Sequence, residues 1–289
     1  MRLRTAIFGI LLFLQSALVL TGGAVRLTGS GLGCPTWPEC TPGSYTPVPH
    51  QAEGQLHAWI EFGNRLLTFA LLFAALAAVI YVLKTGRKDL RSLAAGQVLG
   101  IIGQGVLGGI TVLTDLHPLP VAGHLLLSMF LIAGATSLYS RRHEPHLKVC
   151  APTKTLSLLS KSHIAISFIV LILGTIVTGS GPHAGDEKAQ RFGFDIRSVA
   201  ILHADAVIFL MGLTIALLVA ASVTHSTKKA IYIFFAISLA QGGVGYAQYL
   251  TGIPEALVAA HLAGATVFWI AAWRIRLSVV RTSQQERDQ

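Results

Sequence analysis

The chain has 289 residues, 53% of them hydrophobic and only 12% charged, with a formal net charge of +9. A mean hydropathy of +0.63 and about half the roughly 25% charge content of a soluble domain exclude a water-soluble globular protein. The basic residues sit at the ends of apolar runs, which excludes a nucleic-acid surface, and three cysteines without a CxxC or CxxCH motif exclude a disulfide framework and covalent haem attachment.

Eight apolar runs are long enough to cross about 30 Å of hydrocarbon. The first, approximately 6–25, follows a charged MRLR start but is long and lacks an Ala-x-Ala site, so it is expected to stay as a helix. It ends in TGSGLGCPTWPEC (28–40), whose glycines and prolines deny it regular backbone. Runs at approximately 59–83, 93–113 and 119–139 complete a first set of four, and runs at 156–177, 200–223, 230–250 and 256–273 form a second. The expected fold class is all-α, an integral membrane protein of eight transmembrane helices. Arg2, Arg4, the KTGRKDLR and RRHEPHLK segments, Lys228, Lys229 and the basic tail fall on one side of the bilayer. The positive-inside rule makes that side, with both termini, cytoplasmic. The 28–40 segment then faces outward, where disulfides survive, and Cys34 and Cys40 can close a small ring. Such a ring either staples the loop or serves redox chemistry. Cys150 falls inside and is expected to be a free thiol.

The chain is also written twice. QGVLGGITVLTDLHPLPVAGHLL (104–126) aligns without gaps on QGGVGYAQYLTGIPEALVAAHLA (241–263), matching Gln104 with Gln241 and His124 with His261. LTGSG (27–31) answers VTGSG (177–181), and LHAWIEFGNRLLTFALL (56–72) answers LHADAVIFLMGLTIALL (202–218), matching His57 with His203. Three matches in one order point to two tandem four-helix halves, 1–150 and 151–289, sharing one orientation. The four histidines open even-numbered helices at their outer ends. A histidine in apolar surroundings needs a partner, and two helices facing across a bundle can each give an imidazole to a haem iron. Two haem-sized sites near the outer face follow. His57, Glu61, Asn64 and Arg65 share one face of the second helix, and Glu61 and Arg65 can pair there. The second half has Val207, Leu210 and Met211 in those places, so the ionisable chemistry is one-sided.

These residues resemble the haem A synthase family, through GGAVRLTGSGLGCPTWPEC, IEFGNR, TGSGPHAGD and the histidines of helices four, six and eight. The resemblance covers essentially the whole chain. It implies oxidation of the C8 methyl of haem O to a formyl group; the route expected on chemical grounds runs via a hydroxylated intermediate, with water as oxygen source. It implies a resident haem b held by His203 and His261, substrate haem O facing His124, a catalytic Glu61 assisted by Arg65, and a Cys34–Cys40 pair found in one branch of the family. It further implies a multi-pass protein of the plasma membrane. Haem O synthase and a membrane electron acceptor are expected partners beside the lipid bilayer. The family's second helix reads Glu-x-x-His-Arg, whereas this chain has Asn64 where that histidine stands. His57 is the substitute the sequence offers. Depth favours the other residue: at ~1.5 Å per residue, His57 lies roughly 40 Å from the inner boundary, Asn64 roughly 30 Å and His124 roughly 26 Å. A di-haem b cytochrome exchanging electrons with quinone, and a haem transporter or chaperone, are the rival readings; neither uses the one-sided Glu61.

Overall fold

A computed structural model describes residues 2–143, 153–187, 189–220 and 225–285; Cys150 and the expected boundary at 150 lie outside them. Among the described residues the chain is all-helical, in the order α1 (Arg2–Leu27), α2 (Gln55–Lys84), a 3-10 turn (Lys88–Leu90), α3 (Arg91–Leu113), α4 (Pro118–Ser140), α5 (Lys154–Ser180), α6 (Ile196–Val219), α7 (His225–Leu250) and α8 (Glu255–Gln285). All eight α-helices are long and apolar enough to cross a membrane. They match the eight apolar runs, although α2 begins four residues before its apolar run and α8 continues well past its own.

The helix ends follow local chemistry. Pro118 opens α4, where its missing N–H costs nothing, and the His117 ring accepts from the Leu119 amide. Gly86 closes α2 in a left-handed conformation (φ 67°) that glycine adopts freely. Asp89 accepts two bonds of 2.8 Å from Arg87 and one of 3.1 Å from Arg141, fastening the α2–α3 turn to the end of α4.

Two compact units result: residues 1–142 with 175–196, and residues 143–174 with 197–289. In the first, α1 packs on α2 and α4, and α3 packs on the same two helices. Helices α2 and α4 therefore stand opposite each other. Toward the α2–α3 turn the bundle holds an apolar cluster, built from Phe8 and Leu11, Leu71, Ala75 and Ala78, Ala94 and Ile101, and Ala135 and Leu138. Alanines at the crossings let the helices approach closely, which replaces the hydrophobic drive that lipid removes. Above it lies a polar layer: Gln15 donates to Gln97 Oε1 (2.9 Å), and Gln97 Nε2 donates to the Leu131 carbonyl (3.0 Å). Next comes Gln104, which donates to the His124 carbonyl (3.1 Å) and to Ser128 Oγ (2.6 Å). Polarity thus rises toward the end that carries Glu61 and His124.

The Gln15–Gln97 layer gives a stability test. Replacing Gln97 with Leu strands a buried Gln15 amide and should cost about 1–3 kcal/mol. The double variant Q15L/Q97L removes both partners and should recover most of that loss. Thermal unfolding in detergent reads both; a double variant as unstable as the sum of the singles would contradict the assignment.

Candidate functional site

The site is built on α2 and on the irregular segment between α1 and α2. Glu61 is 6% exposed and lies one turn before Arg65, whose Nη2 is 2.6 Å and whose Nε is 3.1 Å from Glu61 Oε1. The same guanidinium donates to three main-chain carbonyls: Cys34 (2.9 Å), Thr36 (3.1 Å) and Glu39 (3.1 Å). Glu61 Oε2 accepts from the Cys34 amide at 2.7 Å. Cys34 and Cys40 are joined in a disulfide and fully buried. The expected ring therefore exists, and it wraps around Arg65. A charged pair buried in apolar surroundings must satisfy its remaining donors and acceptors, and here a non-helical loop supplies the groups that do so.

The ring also reaches α3. The Trp37 indole lies 2.5 Å from where a Cβ on Gly109 would stand, so only glycine admits it there. Further loop contacts fix the entry to α2. Ser30 Oγ and His57 Nδ1 are 2.9 Å apart, and Gln51 Nε2 donates to the Gly33 carbonyl. The His57 carbonyl occupies the space a side chain on Gly33 would need. In the same unit the segment after α5 packs back: the Gly31 amide donates to Gly185 O (2.9 Å), and Arg26 donates to Thr178 O (2.8 Å) and to His183 O.

The other sequence-chosen histidines have a shared setting. His124 on α4 sits against Gly108 of α3, with Cε1 3.3 Å from the glycine's Cβ position. His203 on α6 meets Gly174 of α5 at 3.4 Å, and His261 on α8 meets Gly245 of α7 at 3.5 Å. Gln241 donates to the His261 carbonyl (3.3 Å) as Gln104 does to that of His124. The 104–126 and 241–263 segments thus repeat in space as they do in sequence. Among the described residues, Nδ1 of His124 and of His261 is buried without a hydrogen-bond partner. In the second unit the His203 and His261 ring centres are 6.5 Å apart. Metal–imidazole bonds of about 2 Å on each side, with the rings' own half-widths, place two axial ligands about 6–6.5 Å apart. Among the described residues no three His, Cys, Asp or Glu side chains converge as a metal cage. A metal between His203 and His261 must bring its remaining ligands with it, as haem iron does. The residues present fit a haem.

Sequence reasoning paired Glu61 with Arg65 and named the histidines. It missed the loop carbonyls that Arg65 collects, the Trp37–Gly109 contact, and a 2.7 Å bond between Thr21 Oγ1 and Asn64 Oδ1. Main-chain acceptors leave no mark in side-chain spacing; the Gly108–Gly109 pair was a visible hint of close approach.

The family model COX15-CtaA, described as cytochrome oxidase assembly protein, matches residues 5–185. A protein of Shewanella oneidensis named heme A synthase is 31% identical over 175 residues, 56% of this chain and 51% of that protein. Proteins of the same name from Sinorhizobium fredii and Rhizobium etli are each 25% identical over 92% of this chain, covering 87% and 88% of theirs.

The Arg65 cluster makes a second prediction. Arg65→Met should cost about 3–5 kcal/mol, because it leaves the Glu61 charge buried and unpaired. The double variant E61Q/R65M should unfold at a higher temperature than R65M alone, measured by the thermal midpoint in detergent.

Proposed function

The chain belongs to the COX15-CtaA family of cytochrome oxidase assembly proteins, and on that footing we propose that it is a haem A synthase. The observation that carries the reading is the difference between the units. One offers two histidines at haem spacing, and the other offers a histidine together with a buried, loop-clamped glutamate.

The substrate is haem O, and its C8 methyl becomes a formyl group. Methyl plus water gives formyl with release of four electrons and four protons, through a hydroxylated intermediate at the halfway point. His124 would hold the substrate iron from α4. Glu61 would stabilise positive charge building on the ring, or take the proton of the attacking water. Oε1 already accepts two bonds from Arg65 and Oε2 one from the Cys34 amide, so Oε2 is the oxygen that can accept another. Arg65 would keep that carboxylate aimed by holding Oε1. Trp37 and the disulfide ring would cover the site against bulk water. His203 and His261 would hold a resident haem b, which when bound supplies a one-electron relay.

The basic segments place both termini in the cytoplasm and the disulfide loop outside the plasma membrane on this reading. Both haem positions then lie toward the outer face. A farnesylated substrate would arrive through lipid from haem O synthase, and the electrons would leave to a membrane acceptor.

Expression in a host that makes haem O but no haem A tests the proposal. Haem A, or its hydroxylated precursor, should appear in extracts separated by chromatography and identified by mass. Glu61→Ala should abolish both products while leaving the low-spin haem spectrum intact. His203→Ala or His261→Ala should remove that spectrum. Unchanged haem O beside well-folded wild-type protein would favour the di-haem cytochrome.

A further inference from the structure

Three of the four helix pairs place a histidine against a glycine of the preceding helix: His124 on Gly108, His203 on Gly174 and His261 on Gly245. In the fourth pair, α1–α2, the residue in that relation is Asn64, whose Nδ2 is 4.0 Å from the Cβ position of Gly22. Resting on the reading that the first unit takes haem O, we infer that His124 is the one strong protein ligand to its iron. Asn64, not His57, faces the other side and leaves that axial position open.

His57 stands seven residues before Asn64, about 10.5 Å along the helix. Its contacts are with the loop: Ser30 at its ring nitrogen, Gly33 at its carbonyl and Gly54 beside its ring. Asn64 lies at the level of His124: Gln15, Gln97 and Leu131 share one layer, and both Gly22, which Asn64 meets, and His124 stand seven residues from it on their helices. Arg65, the next residue, bonds the carbonyls of Thr36 and Glu39, which flank Trp37. Trp37 lies on Gly109, beside the Gly108 that carries His124. Helices α2 and α4 stand opposite each other with α1 and α3 between them, the arrangement two axial positions require. An amide side chain is a weak ligand for haem iron, which takes imidazole, thiolate, thioether or phenolate from proteins. Thr21 further ties the Asn64 carbonyl oxygen.

Purified full-length protein loaded with ferric haem b as probe decides the matter by absorption and electron paramagnetic resonance. The wild type should show one low-spin haem, lost in His203→Ala, and one high-spin haem, lost in His124→Ala. Cyanide should convert only the high-spin one. Asn64→His should make that haem low-spin and weaken its cyanide binding at least tenfold, and His57→Ala should change neither signal. His57→Ala carries the test alone if N64H does not fold. Two low-spin haems in the wild type, one turning high-spin in His57→Ala, would overturn the inference and leave the functional reading standing. Absence of any His124-dependent haem would sink both.

Discussion

Arg65 gathers three main-chain carbonyls and one carboxylate onto a single guanidinium, and the arrangement of the first unit's polar end depends on it. Two liabilities cancel there. A charge on a membrane helix is costly unless it is paired. A loop of glycines and prolines has carbonyls that no helix or sheet can satisfy. Five donors in a planar fork meet both needs at once. The disulfide keeps the acceptors together by joining Cys34 to Cys40, so Cys34, Thr36 and Glu39 stay within one arginine's reach. Glu61 then accepts the Cys34 amide on its other oxygen. Loop, disulfide and ion pair form one object, and Trp37 extends it to α3.

The same end of the unit draws on a distant stretch of chain. Residues 175–196 belong to the first compact unit although they follow most of α5. Gly185 accepts from Gly31, Arg26 holds two carbonyls of that stretch, and Leu116 packs with Ala184 and Ala189. Leu116 does so with a left-handed backbone (φ 57°), a conformation that costs a branched residue energy and persists where packing fixes it. The two TGSG segments thus differ in context. The first leads into the disulfide ring, and the second leads into the strap that packs on Arg26, Gly31 and Leu116.

What was legible in the sequence is what side chains write at helical spacing. Eight apolar runs gave eight helices, the i, i+4 relation gave the Glu61–Arg65 pair, and the two cysteines gave the disulfide. The gapless 104–126 repeat gave matching His–Gly and Gln–carbonyl contacts in both units. The weaker repeat, which matched His57 with His203, did not carry such contacts. His203 lies on a helix glycine, and His57 lies on the loop. The reason is physical: in α2 the first turns serve the loop 28–54, a structure set by main-chain bonds that no comparison of side chains can register.

The contrast between Asn64 and His203 fits the different demands on a substrate and a resident group. A haem held by two imidazoles gains two metal bonds and stays; its position near electron-transfer partners is fixed, as a relay requires. A haem that must enter, be oxidised and leave gains from weaker retention, since binding its ground state more tightly does nothing for the chemical step. On the proposed reading Glu61, three residues before Asn64 and on the same helix face, would act where charge changes during reaction. On that reading, a strong ligand on α4 and the glutamate on α2 would divide holding from chemistry between opposite helices. The loop clamp would keep the second of these fixed while the substrate exchanges.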